Sequence, residues 1–444
     1  MKTLIIGNGA RESALAYRMS QDSTLYAVMN HKNPTIVGLC EKTGGSYLIA
    51  DVTDADKSVS FAKDQGVDMV MLSADDPLSK GVVDAFIEAG IRIVGPTKSG
   101  AEIEWNKEYS RAVLEKINPS VNPVFSVLRT TEDLKKYIDS FNGEPVVIKP
   151  LGLTGGKGVK VVGPHLKDNE EAYVYACSLL ELDGSVIVEE KIIGVEFTIQ
   201  AITDGEATIF PPATFDYPYR YEDDKGPGTG GMGVYSVNQN PLPFMSLKQY
   251  EDACDIIRKI LVTLKSEGRH YTGVMYGGFF ATNKGELKVI EINARFGDPE
   301  GINVLSLFEG NWCDVMQAIS EKQLTTDLVS FKKHVSQSLY LVSPNYAVRK
   351  QTEAILFDID VAAIEALGCN VFFSSSEHVS GTTYKTVGNS RCVSISCTAE
   401  TLVETRARIE KALAFVKGDL EWRTDIASDK NIIDMCQITG VTSF

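Results

Sequence analysis

Residues 285–300 read GELKVIEINARFGDPE and carry the second strand of a predicted β-hairpin. The turn is predicted at Asn283–Gly285 and the strand at Leu287–Asn293. Because side chains alternate along a strand, we predict that every second residue shares one face. These residues are Leu287, Val289, Glu291 and Asn293. Glu291 and Asn293 are therefore candidate ligands for a hard cation such as magnesium, unless both simply lie beyond the end of the core.

Arg295 follows Asn293 by two residues, so it points the same way if the strand continues. A guanidinium at this place can grip a carboxylate through two parallel hydrogen bonds beside bound phosphates. The alternative interpretation is a surface arginine in a solvated turn.

A second candidate site begins with Lys149, which closes an apolar strand and is costly to bury unless an anion meets it. The Gly-rich loop 152–158 comes next and can fold over phosphates, with Lys157 as a point charge. The spacing is one residue short of a Walker A loop, and no Ser or Thr follows Lys157 to hold a metal. A plain hairpin turn is the alternative, but the strand-end lysine favours a phosphate site.

Carboxylates mark the segment 186–197, in which an apolar strand runs into Glu189 and Glu190 and is followed by Glu196. Such carboxylates can accept hydrogen bonds from an adenine amino group and a ribose hydroxyl, although a solvated charged loop explains them equally well. The glycine-dense loop Gly226–Gly233 can bring main-chain N–H groups close to an anion, or can be a flexible connector.

Strand and helix patterns alternate over residues 1–100, which predicts a Rossmann-like parallel sheet. The turn Gly7–Glu12 resembles the dinucleotide fingerprint without its last glycine, and the acidic residue expected about 20 residues later is absent. An NAD-dependent oxidoreductase is therefore disfavoured. The turn can still present N–H groups at a helix N-terminus to a phosphate or carboxylate, or can lack a ligand.

The pattern changes twice along the chain and divides it into three predicted domains, 1–100, 101–325 and 326–444. The middle region has longer helices, Gly-rich loops and antiparallel strands. The last region is a small α+β unit with a helix predicted at about 400–417 and ended by Gly418. The expected fold class is thus a multidomain combination of α/β and α+β architecture.

The composition is that of an ordinary globular protein, with 43% hydrophobic and 23% charged residues in 444. A net charge of −15 repels phosphates and argues against a nucleic-acid or membrane partner. The eight cysteines form no CxxC pair, so we expect reduced, mostly buried thiols in a cytoplasmic protein. We find no signal-peptide pattern and no apolar stretch approaching the roughly 18 residues that span a membrane.

Together these motifs resemble the phosphoribosylamine–glycine ligase family of the ATP-grasp superfamily. The resemblance covers essentially the whole chain and is most specific at Gly226–Gly233, Tyr271–Gly273 and Glu291–Glu300. It implies a central ATP-grasp fold whose lid, at about 120–195, is mobile. It also implies that ATP, with Mg²⁺ or Mn²⁺, drives the joining of glycine to phosphoribosylamine through a glycyl phosphate. The products would be glycinamide ribonucleotide, ADP and phosphate, in purine synthesis.

The resemblance also implies roles for individual residues. The expected ATP-binding residues are Lys107, Lys149, Gly155, Gly156, Lys157, Glu189, Ile192 and Glu196, and the expected metal ligands are Glu291 and Asn293. The residues expected to bind phosphoribosylamine or glycine are Gly9, Arg11, Glu12, Asp75, Asp216, Thr229, Gly230, Gly231, Arg295 and Asp298. Arg295 and Lys157 would be catalytic, by stabilising charge on the transferring phosphoryl group. A monomer, or at most a weak dimer, is expected.

Some positions depart from the family pattern. They are Ser13, Met29–Pro34, Asp75–Asp76, Phe215–Tyr221 and Gly301–Ile302. None of these changes touches Lys149, Glu291, Asn293 or Arg295, so they fall on the amine and amino-acid pockets. The alternative is therefore an ATP-grasp ligase for a different amino acid and amine. A catalytically inactive nucleotide-binding protein is disfavoured because the phosphate and metal residues are all present.

Overall fold

The computed structural model describes residues 1–152, 158–238, 240–351 and 353–441. Its N-terminal part alternates strands with helices. The strands are β1 (Lys2–Ile6), β2 (Thr24–Met29), β3 (Tyr47–Ile49), β4 (Met69–Leu72) and β5 (Arg92–Val94). The helices are α1 (Ala10–Met19), α2 (Pro34–Thr43), α3 (Ala55–Gln65), α4 (Asp75–Lys80), α5 (Val82–Glu88) and α6 (Lys98–Trp105).

The first sheet is parallel and has the strand order β3-β2-β1-β4-β5, which confirms the predicted Rossmann-like architecture. Its central strands β1, β2 and β4 are almost fully buried apolar runs, as expected for a sheet covered by helices on both faces. The strand order reverses between β1 and β4. Their carboxyl ends therefore border the crevice in which open α/β sheets bind ligands.

The central part of the chain is mainly antiparallel. Its strands are β6 (Phe125–Leu128), β7 (Val146–Lys149), β8 (Lys160–Val161), β9 (Val186–Glu190), β10 (Gly194–Thr203), β11 (Thr208–Ile209), β12 (Phe215–Asp216), β13 (Tyr219–Tyr221), β14 (Lys225–Gly228), β15 (Gly233–Ser236), β16 (Gly273–Thr282), β17 (Leu287–Asn293) and β18 (Phe308–Glu309). Its helices are α7 (Lys107–Ile117), α8 (Thr131–Asp139), α9 (Asn169–Asp183), α10 (Leu247–Ser266), α11 (Glu300–Leu307) and α12 (Trp312–Glu321). Short 3₁₀ turns cover Pro119–Val121 and Glu222–Asp224.

Two sheets of this region frame a cleft. The small sheet has the order β6-β9-β7-β8, and the central sheet has the order β11-β10-β16-β17. The small sheet packs with α8 and α9 around a hydrophobic cluster of its own, which includes Ile138, Ile148 and Val188. The small sheet therefore has a hydrophobic core of its own, separate from the main core.

The predicted hairpin forms, because β16 and β17 pair antiparallel, but the predicted common face of β17 is wrong. The residues assigned to that face were Leu287, Val289, Glu291 and Asn293. A β-bulge interrupts the register: Val289 lies opposite Phe279, whereas Glu291 lies opposite Gly278, so Ile290 is the extra residue. Since consecutive residues of β16 face opposite sides, the side chains after the bulge project from the other face.

The bulge gives the central sheet one apolar and one polar face. On the apolar face, Phe279 is fully buried and its ring stacks on Phe197 at a centroid distance of 5.5 Å. The polar face collects side chains from β10, β16 and β17 that lie in register. They are Glu196, Thr198, Gln200, Tyr276, Glu291 and Asn293. Glu291 and Asn293 thus keep a common face, but it is the polar face, opposite the one that carries Phe279.

The last third of the chain completes the fold. Its strands are β19 (Ser330–Phe331), β20 (Val335–Val342), β21 (Leu356–Ile359), β22 (Cys369–Phe373), β23 (Ser376–Ser380), β24 (Thr383–Thr386), β25 (Arg391–Ala399) and β26 (Val416–Gly418). Its helices are α13 (Val361–Ala366), α14 (Leu402–Leu413) and α15 (Asp429–Thr439), with a 3₁₀ turn at Thr326–Leu328. The sheets are β12-β15-β20-β25-β22 and β23-β24-β21-β26. The first of them joins β12 and β15 of the central part to three C-terminal strands.

Two expectations for the C-terminal part are wrong. The helix predicted to reach residue 417 ends at Leu413, because residues 416–418 pair with β21 as strand β26. Cys369 and Cys397 are not free thiols but form a disulfide, since they lie directly opposite each other on β22 and β25 with their Cα atoms 4.4 Å apart. The other six cysteines are free, and five of those are buried.

Within the described residues, no helix is both long enough and apolar enough to span a membrane.

Candidate active site

Lys149 and Glu189 project from the same face of the small sheet, because Glu189 lies opposite Val147, two residues before Lys149. The Lys149 ammonium lies 2.7 Å from Glu189 Oε2, and the Arg111 guanidinium lies 2.7 Å from Glu189 Oε1. Burial alone would raise the pKa of Glu189, but Arg111 and Lys149 outweigh it and hold the pKa below its usual range. The strand-end lysine therefore does meet an anion, and that anion is a carboxylate of the neighbouring strand.

Arg111 connects this ion pair to the bulge in β17. It lies on α7, is 4% exposed, and donates to the carbonyl oxygens of Val289 and Ile290, each at 2.9 Å. Its Nε donates to Glu189 Oε1 at 2.9 Å. Since a bulge leaves a residue outside the regular ladder, a donor for its carbonyls stabilises it. One guanidinium thus fixes both the turned end of β17 and the carboxylate that holds Lys149.

Lys107 begins α7 beside this network. Its Nζ donates to the carbonyl oxygen of Gly152 at 2.6 Å. Burial lowers the pKa of Lys107, with Glu291 opposing that effect and Lys149 adding to it, so the three charged groups are neighbours. Ile192 lies half-buried between β9 and β10. The predicted phosphate-loop residues Gly155, Gly156 and Lys157 lie outside the described residues.

Carboxylates accumulate on the polar face of the central sheet. Burial, with Glu291 and Asp224 adding to its effect and Lys149 opposing it, raises the pKa of Glu196 to about 7. Burial, followed by Glu300, Glu196 and Glu291, raises the pKa of Asp216 well above its usual value. Burial is the larger cause of both pKa shifts, and repulsion between neighbouring carboxylates adds to it. A cation bound nearby would favour the charged forms of these groups.

Glu291 and Asn293 fit a divalent cation at this place. Glu291 is exposed to the cleft, and the Asn293 amide nitrogen donates to Glu291 Oε1 at 2.9 Å, so the two polar ends are adjacent. Among the described residues, no three His, Cys, Asp or Glu side chains gather closely enough to hold a metal by themselves. A cation held by these two residues would need further oxygen ligands from phosphates and water, as magnesium commonly does.

The crevice of the parallel sheet adjoins the end of β17. Gly9 caps α1, and its N–H donates to Glu12 Oε2 at 2.8 Å. Arg11 pairs with Glu12 Oε1 at 2.6 Å and donates to the carbonyl oxygen of Phe296 at 2.9 Å. The predicted N-terminal turn is therefore anchored to the segment that follows Arg295.

Arg295 lies among acidic partners in the same crevice. Its Nε lies 2.5 Å from Asp75 Oδ1, and its NH2 nitrogen lies 3.2 Å from Glu104 Oε1. Burial alone would raise the pKa of Asp75, but Arg295 and Arg11 lower it below its usual range. Burial raises the pKa of Glu104 to about 7. The guanidinium is thus held in one orientation, and a substrate carboxylate would compete with Asp75 for it.

The glycine-dense loop lies against Asp298. Thr229 donates its N–H to the carbonyl oxygen of Pro218 at 2.7 Å, and Gly231 donates its N–H to Thr229 Oγ1 at 3.0 Å. The Gly230 N–H donates to the Tyr346 hydroxyl at 3.2 Å. These N–H groups therefore have partners within the protein, and the loop is ordered against the rest of the fold.

Two departures from the family pattern meet each other. The Ser13 hydroxyl donates to the carbonyl oxygen of Phe373 at 2.7 Å, and the Asn33 amide donates to the same oxygen at 2.7 Å. Ser13 also contacts Asn33 Oδ1 at 3.2 Å. These changes therefore form one junction between the first sheet and β22.

Comparison with known proteins shows the family of the chain. The family model described as the phosphoribosylglycinamide synthetase N domain matches residues 1–104, and the model described as the ATP-grasp (A) domain of the same enzyme matches residues 105–301. The chain belongs to the phosphoribosylglycinamide synthetase family. A curated phosphoribosylamine–glycine ligase from Thermococcus kodakarensis is 37% identical over 432 residues, which is 97% of each chain. One from Methanocaldococcus jannaschii is 38% identical over 443 residues, again 97% of each.

Solved structures show the same fold. The phosphoribosylamine–glycine ligase of Thermotoga maritima has a TM-score of 0.77 at 23% identity and covers 96% of this chain and 100% of its own. The biotin carboxylase domain of 2-oxoglutarate carboxylase from Hydrogenobacter thermophilus, a complex with MgADP and bicarbonate, has a TM-score of 0.71 at 16% identity. That match covers 99% of this chain and 93% of the other. The predicted fold class and the resemblance to the phosphoribosylglycinamide synthetase family are confirmed.

Three charged residues at the candidate site are not predicted from the sequence. They are Arg111, Glu104 and Arg391. Arg111 lies one helical turn after Lys107, and that i, i+4 spacing is the signal that a pair of cations faces the same side of α7. Glu104 and Arg391 carried no such signal. Their importance depends on contacts to residues about 190 and 90 positions away, respectively.

Proposed function

We propose that this chain joins glycine to phosphoribosylamine at the expense of ATP and releases glycinamide ribonucleotide, ADP and phosphate. One observation carries the proposal. The polar face of the central sheet, with Glu291 and Asn293, continues directly into Arg295 and Asp298 in the crevice of the parallel sheet. A nucleotide site and an acceptor site can therefore share one strand end. Membership of the phosphoribosylglycinamide synthetase family supports the same assignment.

The nucleotide would lie between the small sheet and the polar face. Lys107 and Lys149 would contact its phosphates, as would Gly155, Gly156 and Lys157, while Glu189, Ile192 and Glu196 would bind the adenosine. Anionic phosphates would draw Lys149 away from Glu189, which keeps Arg111 as its remaining partner. Glu291 and Asn293 would hold Mg²⁺ or Mn²⁺, which supplies charge neutralisation for phosphoryl transfer when it is bound.

The two substrates would meet at Arg295. Glycine would bind near Arg295, Asp216 and the loop Thr229–Gly231, and phosphoribosylamine near Gly9, Arg11, Glu12, Asp75 and Asp298. An oxygen of the glycine carboxylate attacks the γ-phosphorus of ATP, the bond to the bridging oxygen breaks, and ADP leaves. The amine then attacks the acyl carbon, phosphate leaves with the bonding electron pair, and the amine loses a proton. Positioning and charge stabilisation supply the acceleration without a side-chain nucleophile.

The domain division at residues 100 and 325 is part of the proposal, as is a lid formed by residues 120–195. The separate hydrophobic cluster of the small sheet supports the proposal of a lid. Closing such a lid would shield an acyl phosphate from water. We further propose a cytoplasmic location and a monomer or weak dimer, with small-molecule substrates and no nucleic-acid or membrane partner.

The test is ADP release by the purified chain with ATP, glycine, phosphoribosylamine and Mg²⁺, with each omitted in turn. We expect sustained ADP release only in the complete mixture, together with equimolar glycinamide ribonucleotide. A panel of other amino acids and amines provides the competing arm. Faster ADP release with another pair would contradict the named substrates while keeping the ligase class, and no ADP release with any pair would contradict the class.

A further inference from the structure

We infer that Arg391, from the C-terminal part of the chain, is a positioning residue that holds the glycine-dense loop and the Asp298 segment at a fixed separation. It begins β25, and its side chain is 12% exposed. Its NH1 nitrogen donates to the carbonyl oxygen of Gly231 at 3.0 Å, to that of Asp298 at 2.6 Å, and to that of Gly230. Its NH2 nitrogen lies 3.2 Å from Asp298 Oδ2.

The surroundings fix the orientation of this guanidinium. It lies over the Tyr340 ring, 4.3 Å from the centroid, and the Tyr340 hydroxyl donates to Asp298 Oδ1. A planar guanidinium with several fixed donors can bind carbonyl and carboxylate oxygens simultaneously, whereas an ammonium acts as one point charge. Replacing Arg391 by Lys therefore keeps the charge and removes the simultaneous contact to both segments.

The position of Arg391 is where the segments assigned to different substrates come together. A Cβ atom at Gly231 would lie 2.6 Å from Pro299 Cδ, so the loop and the Asp298–Pro299 segment are in direct contact. A Cβ atom at Gly9 would lie 3.5 Å from Asp298 Oδ2, so the N-terminal turn adjoins the other side of Asp298. Arg391 thus links Asp298, which we assign to the phosphoribosylamine pocket, to the loop Thr229–Gly231, which we assign to the glycine pocket.

The inference rests on the proposed function, in which an acyl phosphate formed in one pocket is attacked from the other. If the two segments separate, the amine nitrogen reaches the acyl carbon less often. Water then attacks that carbon instead, the carbon–oxygen bond to phosphate breaks, and glycine and phosphate are regenerated. The net reaction of that branch is hydrolysis of ATP to ADP and phosphate. Loss of positioning is therefore detected as ADP that forms without an equal amount of glycinamide ribonucleotide.

The experiment measures ADP and glycinamide ribonucleotide in the same reaction for the wild-type chain, Arg391→Lys and Arg408→Lys. Arg408 is the matched control, because it also donates to a carbonyl oxygen, that of Thr398 on β25 at 2.8 Å, but contacts neither segment. We expect an ADP-to-product ratio of about one in the wild type and the control, and a rise of at least about threefold in Arg391→Lys. The KM for ATP should change less than about twofold, because the nucleotide contacts lie elsewhere.

A ratio of one in Arg391→Lys, whatever its kcat, would overturn the inference, because a merely structural role lowers both products together. Arg391→Ala leaves the half-buried Asp298 without its ion-pair partner, so failure of this variant to fold is a separate outcome that the lysine variant avoids. A wild-type chain that releases no ADP with the two substrates would contradict the proposed function instead. The two failures are therefore distinguishable.

Discussion

Replacing Arg111 by Met should destabilise the protein by about 4 kcal/mol, and the magnitude follows from its contacts. Removing one partner of a buried ion pair costs about 3–5 kcal/mol, because the other charge is left uncompensated. Glu189 keeps Lys149 as a partner at 2.7 Å, so the cost of breaking the ion pair should lie near the lower end of that range. The carbonyl oxygens of Val289 and Ile290 also lose their donor, at a cost of about 0.5–1.5 kcal/mol each. The ion-pair and hydrogen-bond contributions are not fully additive, because a single side chain makes all these contacts. The expected total is therefore about 4 kcal/mol.

The assay is equilibrium urea unfolding, followed by far-ultraviolet circular dichroism, of Arg111→Met, Arg111→Lys, Glu189→Gln and Arg111→Met combined with Glu189→Gln. Arg111→Lys keeps a charge for Glu189 but cannot reach both carbonyls, so its loss should be about 1–2 kcal/mol. The double variant should lose about 2 kcal/mol less than the sum of the single variants, because no buried carboxylate is left with too few partners. Additive losses, or an unchanged unfolding midpoint for Arg111→Met, would refute the reasoning.

Three further predictions concern the cleft. Glu291→Gln should lower kcat at least about 100-fold while the melting temperature stays the same, whereas the exposed control Glu309→Gln should retain activity; a Glu291→Gln variant as active as the control would contradict the metal assignment. Lys149→Met should raise the KM for ATP at least about tenfold, whereas the control Lys284→Met, in the hairpin turn, should not. Equal KM values for the two variants would show that Lys149 does not bind the phosphates. The folded-state pKa of Glu196 is raised to about 7 by burial, so its contribution to stability falls as the pH rises from about 4.5 to 7. The melting temperature of Glu196→Gln should therefore increase relative to the wild type between pH 5 and 8, and a difference independent of pH would contradict the pKa shift.

Local patterns were sufficient to predict the parallel sheet and one hairpin of the central sheet. The parallel β-α units and the hairpin at β16 and β17 follow from short apolar runs separated by turn residues, and both are confirmed. The predicted C-terminus of α14 is wrong. The helix ends at Leu413, and residues 416–418 pair with β21 instead of continuing the helix. Pairing of this kind depends on a partner strand about 60 residues earlier, which periodicity does not register.

The bulge at Ile290 shows what alternation along a strand cannot determine. An apolar residue at this place continues the strand pattern, so nothing in the sequence distinguishes the extra residue from a regular one. Arg111, nearly 180 residues earlier, stabilises the bulge by donating to the carbonyl oxygens of Val289 and Ile290. The predicted pairing of Glu291 with Asn293 survived because both residues follow the bulge and turn together.

We expect Glu291 and Asn293, which follow the bulge, to face a triphosphate that Lys149 also contacts. A crystal structure of the chain with Mn²⁺ and a non-hydrolysable ATP analogue, using anomalous scattering to locate the metal, tests this most directly. We predict a manganese peak bound by Glu291 and Asn293 oxygens and by phosphate oxygens, with the Lys149 ammonium released from Glu189 and in contact with a phosphate. A nucleotide whose phosphates lie away from these residues, or a manganese ion bound elsewhere in the cleft, would contradict the claim.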